Sequence, residues 1–192
     1  MKKLWITLLM LPILLGLSTC TTVKNQPDYD ALLLEAVTAG DTEQGRAAAT
    51  ERNALIRIGA LEERQVDFDE LLLLARLIDA EAGDRRYSDE YRFCVGEVAL
   101  NRVASPEFPD TLREVLEQYG QYPCTLEPEF VDLRPGQGCA AIALRLLKGE
   151  RRLSPAVLYQ SSRQIGNAFV RFYDRRDGYI YFCESVYTDL YK

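Results

Sequence analysis

Leu71-Leu72-Leu73-Leu74-Ala75-Arg76-Leu77-Ile78-Asp79-Ala80-Glu81-Ala82-Gly83 is the stretch on which the fold turns. At helical spacing Leu74, Leu77, Ile78 and Glu81 share one face, so a glutamate extends an apolar stripe. Gly83 is placed to stop the helix in a left-handed cap, which leaves Glu81 in the last turn. Partial burial and the negative end of the helix dipole both favour a protonated carboxyl there. A carboxyl that keeps its proton near neutral pH suits general-acid work on an ether-type oxygen. The plain alternative is a glutamate bent out to solvent at a frayed helix end.

Outward from this helix, Ser88-Asp89-Glu90 opens a second one with a capping serine and two acids in its first turn. Its buried stripe is Tyr91, Cys94, Val95, Val98 and Ala99, and it stops before Ser105-Pro106. Thr111-Leu112-Arg113-Glu114 is a capping-box pattern for a third helix ending at Gly120. A long loop from Gln121 to Gly138 leads to a fourth helix over Ala140 to Lys148. After Pro155 the period changes to that of strands. Ala156 to Gln160 reads as a strand, and Ala168 to Tyr173 with Tyr179 to Phe182 reads as a hairpin around Asp177-Gly178. The fold class is therefore α+β, mostly helical with a small C-terminal antiparallel sheet.

Upstream, Met1-Lys2-Lys3 and the apolar run Leu4 to Leu17 form an export leader, shorter than the ~20 residues of a spanning helix. Leu17-Ser18-Thr19-Cys20 resembles a bacterial lipobox, which would make Cys20 the lipidated N-terminus and anchor the chain to the membrane. Thr19 departs from that pattern, so a plain secretory signal or an uncleaved anchor stands beside it. This gives a signal over 1–20, a tether with a helical hairpin over 21–66, and a catalytic domain over 67–192. The hairpin, Ala31 to Ala39 and Thr42 to Ile58, is expected to lie outside the catalytic core.

Without the leader's two lysines, 21 basic residues face 29 acidic ones, a net charge of −8. That balance argues against a nucleic-acid binder. With no histidine in the chain, Ser-His-Asp, Cys-His and His-zinc systems are excluded. Cys94, Cys124, Cys139 and Cys183 make an even set in an oxidising compartment. Cys124–Cys139 is the first expected disulfide and Cys94–Cys183 the second; buried thiols are the alternative.

Four segments in this order resemble the SleB-type cell-wall hydrolases, the family of the spore cortex-lytic enzymes. They are Leu74 to Gly83, Val95-Gly96-Glu97-Val98-Ala99-Leu100-Asn101-Arg102-Val103, Ser105-Pro106-Glu107-Phe108-Pro109-Asp110-Thr111 and Gly120-Gln121-Tyr122. Val157-Leu158-Tyr159-Gln160 and Tyr181-Phe182-Cys183 extend the likeness. The resemblance implies a lysozyme-like domain that cleaves the glycan strands of peptidoglycan, with the family's acid falling on Glu81. Spore-type relatives carry a histidine-containing stretch where this chain has Tyr159-Gln160-Ser161-Ser162, which favours a general cell-wall substrate.

No second carboxylate stands out, since Asp79 points to another face, Glu97 has a salt bridge as its plain reading, and Asp84 lies past the cap. The expected chemistry is thus the one-acid scheme of lytic transglycosylases, which needs no metal and no cofactor. Gln121 and Tyr122 are the first expected sugar contacts, and Gln160 and Tyr181 the second. A muramidase using water, and a non-catalytic glycan-binding envelope lipoprotein, are the rival readings.

Overall fold

The computed structural model describes residues 27–83 and 85–191. The leader, Cys20, most of the tether and Asp84 lie outside them. Among the described residues no helix is long and apolar enough to cross a membrane.

Among the described residues, six α-helices precede a three-stranded antiparallel sheet. They are α1 (Tyr29–Ala39), α2 (Thr42–Arg57), α3 (Phe68–Ala82), α4 (Asp89–Val103), α5 (Leu112–Glu117) and α6 (Gln137–Leu147). The strands are β1 (Val157–Ser161), β2 (Ala168–Asp174) and β3 (Gly178–Glu184), in the order β1-β3-β2. The α+β expectation holds, with the sheet at the C-terminal end.

Side-chain caps start five of the helices. Asp28, Asp41, Asp67, Ser88 and Thr111 each accept the N–H three residues on, satisfying a donor that the helix itself leaves orphaned. Gly40, at φ +72°, closes α1 in the left-handed conformation and lets the chain reverse into α2.

The main core is helical. Leu71, Leu74, Leu77 and Ile78 of α3 meet Phe93 and Ala99 of α4 and Ala140, Ala143 and Leu146 of α6. The three helices approach closely at Gly96, where a Cβ would sit 2.6 Å from Leu146 Cδ1 and 2.7 Å from Ile78 Cδ1. The α1–α2 hairpin, expected to stand apart, shares this cluster through Leu33, Ala36, Val37, Ala48 and Ala49. Gly45 admits the Phe68 ring so closely that a Cβ there would overlap it, at 2.0 Å. The hairpin's small and apolar residues are its seat on α3.

A second cluster joins α4 to the sheet. Tyr91, Cys94, Val95 and Val98 pack on Val157, Ile180 and Phe182, with Phe172 at its margin. Tyr91 stacks on Tyr87 at 4.5 Å and meets Phe172 and Phe182 edge-on.

Three local expectations need correction. Gly83 caps α3 at φ −66°, in the right-handed region, so its need for glycine is steric: a Cβ would lie 2.4 Å from the Asp79 carbonyl oxygen. Helix α5 stops at Glu117, because Gln118 is already extended and the chain turns inward to bury Tyr122. The loop after it is ordered into 3-10 turns at Pro123–Leu126 and Pro128–Asp132, and α6 begins at Gln137.

The disulfides are corrected as well. Cys94, Cys124, Cys139 and Cys183 are all free thiols. Cys124 and Cys139 bracket the loop as expected, but each turns to a carboxylate of α3 instead of to the other: Cys124 to Glu81 and Cys139 to Asp79. Cys94 packs among the apolar residues between α4 and the sheet.

Candidate active site at the end of helix α3

Glu81 is half-buried, on the same face as the fully buried Leu74, Leu77 and Ile78. Its Oε1 accepts a hydrogen bond of 3.1 Å from Cys124 Sγ, and its Oε2 accepts none from the described residues. Burial, and next the hydrogen bond to Glu81, push the Cys124 thiol up to about 12. The negative end of α3 is offset by a cation: Arg92 Nε donates to the Ala82 carbonyl at 3.0 Å.

Two tyrosines feel the Glu81 charge. Burial raises Tyr122 to about 12, with Arg102 opposing and Glu81 adding to the rise. Tyr91 is also pushed up, first by burial, then by Tyr87 and Glu81. Gln160 Nε2 donates to the Tyr91 hydroxyl at 3.0 Å, so β1 contributes an amide to the same region.

The expected sugar contacts separate into distinct settings. Gln121 is exposed where the chain leaves α5. Tyr122 is only 5% exposed and the Arg102 guanidinium lies 4.9 Å from its ring centroid, so a ring face free to stack on a sugar is not on offer. Gln160 pairs with Phe182 across the sheet and therefore shares the face that looks toward α4. Tyr181 pairs with Ser161 and Arg171 on the opposite face, in a row with Tyr179 and Tyr173. Gln160 thus reaches Tyr91, which feels the Glu81 charge, whereas Tyr181 lies on the other side of the sheet.

Two of the acids weighed as partners of Glu81, Glu97 and Asp79, are occupied. Glu97 is fully buried, and its carboxylate accepts the backbone N–H of Arg152 and of Leu153 at 2.9–3.0 Å. Asp79 Oδ1 accepts the Gly136 N–H at 3.1 Å. The Asn-Arg pair of α4 is structural too. Asn101 Nδ2 donates to the Ser154 and Val157 carbonyls, and Arg102 Nε to that of Leu158. These side chains clamp β1 onto α4.

Two features escaped the sequence reading. Cysteine parity points to a disulfide or a buried thiol for Cys124, and a thiol donor to a carboxyl has no spacing signature. Glu107 forms a hub, accepting from the hydroxyls of Ser185 at 2.5 Å and Tyr191 at 2.6 Å, while Tyr191 also meets Ser105. It ties the loop after α4 to the chain's last turn.

A cavity of about 450 Å³ lies between α2, α3 and α5 and is lined by Arg46, Arg76, Arg113 and Phe130 among others, not by Glu81. Among the described residues no group of three or more His, Cys, Asp or Glu is placed to hold a metal ion.

No curated protein and no solved structure matches the chain. A sequence profile described as Cell Wall Hydrolase matches residues 88–183, from the start of α4 through β3. The match begins after Glu81, so the case for that residue rests on its geometry and on the likeness of its own segment. With half its length covered by that profile, the chain belongs to the cell wall hydrolase family.

Proposed function

We propose that this protein is an exported enzyme that cleaves peptidoglycan glycan strands as a lytic transglycosylase, with Glu81 as its single acid and base. Glu81 protonates the oxygen bridging N-acetylmuramic acid and N-acetylglucosamine, and that bond breaks. The muramic 2-acetamido group steadies the positive charge that develops at C1. The ionised Glu81 then takes the proton of the C6 hydroxyl, whose oxygen closes on C1 to give an anhydro end. Every atom of the product comes from the strand itself.

The observation that carries this reading is the engagement of Glu97 and Asp79, the two described acids weighed as partners. Glu97 and Asp79 are committed to backbone N–H groups, while one oxygen of Glu81 accepts no hydrogen bond from the described residues. A hydrolase of the two-carboxylate kind needs a partner ~5–9.5 Å away. A long polymer needs an open surface site, and Glu81 does not line the cavity beside Arg76. Gln121 and Gln160 are the proposed amide contacts to the sugars, and the Tyr181 row a proposed outer contact. Export, read from the leader over residues 1–20, is part of the same proposal, with Cys20 as the proposed lipid anchor at the outer face of the membrane.

Mass spectrometry of digested peptidoglycan tests the scheme. Anhydro-muramic ends are expected; reducing muramic ends would establish the water-using muramidase in its place. Glu81→Gln should lower turnover by about 10²–10⁴-fold, the usual contribution of a positioned acid. Binding without turnover by the wild-type protein on every wall preparation would leave the glycan-binding lipoprotein.

A further inference from the structure

The loop between α5 and α6 is fastened to the end of α3 at three points. Arg76 Nε holds the Leu133 carbonyl at 3.0 Å, Asp79 holds Gly136 N–H and lies against the Cys139 thiol, and Glu81 holds Cys124. The first two need no acid chemistry to explain them. The third falls on the one carboxyl that the function uses.

A thiol is an unusual choice for a fastener, being a weak donor and a weaker acceptor. Its reactivity does not explain it either. With burial and the Glu81 contact raising it to about 12, Cys124 holds its proton across the neutral range, so thiolate for nucleophilic or redox work is scarce. What remains is a small donor that always offers S–H and never competes for the carboxyl's own proton. It sits in the 3-10 turn Pro123–Leu126, next to Tyr122, whose ring is locked under Arg102, so the sulfur has a rigid mount.

We propose that Cys124 is a positioning residue for Glu81: its S–H keeps Oε1 as an acceptor and thereby assigns the transferable proton to Oε2, the oxygen left for the glycosidic bond. The inference rests on Glu81 being the acid. Loss of the thiol frees the carboxyl to rotate and to carry its proton on either oxygen, so the reactive arrangement is populated for a smaller share of the time. Binding of the strand is untouched, because the sulfur contacts the acid and not the sugar.

The test uses the whole protein on soluble glycan strands, comparing Cys124→Ala, Cys124→Ser and Glu81→Gln with wild type, each checked for folding by thermal melting. Cys124→Ala should lower kcat by about three- to tenfold, the value of one hydrogen bond to an uncharged group, with KM within about twofold. Cys124→Ser, which restores a donor, should recover most of that loss. The S–H infrared band missing from Cys124→Ala should lie at a hydrogen-bonded frequency in wild type and move to the free one in Glu81→Ala. Unchanged kcat in Cys124→Ala, or equal damage in the serine variant, overturns the positioning role while an inactive Glu81→Gln keeps the acid. Full turnover by Glu81→Gln overturns both. Should Cys124→Ala fail to fold, the serine variant decides: a carboxyl-bound hydroxyl with near wild-type kcat supports the proposal, and a loss in kcat sinks it.

Discussion

Leu153 donates its backbone N–H to Glu97 at 3.0 Å, linking a fully buried acid of α4 to the segment that enters β1. Arg152 donates to both oxygens of the same carboxylate. Together with Asn101 and Arg102, Glu97 makes α4 a rail of side chains that grips the extended backbone leading into the sheet. The segment covered by the family profile is thus rich in residues whose work is to hold the sheet against the helix, so that β1 can present Gln160 to Tyr91.

Glu97→Gln should cost about 1–3 kcal/mol, since one accepting oxygen becomes an amide nitrogen facing a buried N–H. It should also change the pH dependence of stability. Burial pushes the Glu97 carboxyl up, with the Arg152 and Leu153 N–H groups and then the Arg151 and Arg152 charges opposing. The folded chain then binds this proton more tightly than the unfolded one. The group's contribution is full below the ordinary glutamate value of about 4.3 and declines as pH rises through the raised folded value. Urea midpoints across mildly acidic pH should show that decline in wild type and lose it in Glu97→Gln. A steeper decline in the variant would contradict the assignment.

Tyr122→Phe should be neutral or stabilising by up to about 1 kcal/mol. The Tyr122 hydroxyl is buried with no well-formed hydrogen bond among the described residues and only a weak polar contact from the Arg102 guanidinium, so removing it costs little and keeps the ring under Arg102. Activity should stay near wild type. A large drop in kcat with stability intact would mean that the hydroxyl reaches the substrate, which its burial argues against.

The four described cysteines should titrate as free thiols once the protein is denatured, and reductant should leave the melting temperature unchanged. A pair of disulfides would instead hide all four from a thiol reagent and would contribute about 2–4 kcal/mol each. Cysteine parity suggested bridges because it counts residues without placing them. What decides the matter for Cys124 and Cys139 is that Glu81 and Asp79 lie within their reach.

That contrast marks what was legible in the chain. The α3 stripe, the Ser88 and Thr111 caps and the hairpin period are local signals, each complete within a turn or two, and the structure has them where the residues put them. The loop after α5 has no period to read. Its shape is dictated by Arg76, Asp79 and Glu81, whose partners lie 57, 57 and 43 residues away along the chain. Glu97 was unreadable for a related reason, because its partners are backbone N–H groups that carry no residue identity. Glu81 stood out since an acid on an apolar stripe is itself a local anomaly, while its thiol partner could be found only in three dimensions.

Gly83→Ala tests whether the geometry at the end of α3 matters to function as well as to folding. At φ −66° alanine is ordinarily the better residue, because it restricts the unfolded chain and fits the right-handed region without strain. Here its Cβ would fall 2.4 Å from the Asp79 carbonyl oxygen and 2.9 Å from Asp79 Oδ1, so the last turn must unwind or shift. The expected sign is therefore reversed, a loss of about 1–3 kcal/mol, as for other forced overpacking. The displaced turn carries both Asp79, which holds Gly136, and Glu81, which holds Cys124. Turnover measured well below the variant's melting temperature should fall further than the folded fraction does. A Gly83→Ala protein that is more stable than wild type and equally active would show that this turn tolerates rearrangement, and would remove the steric argument for glycine at the end of the helix that carries the acid.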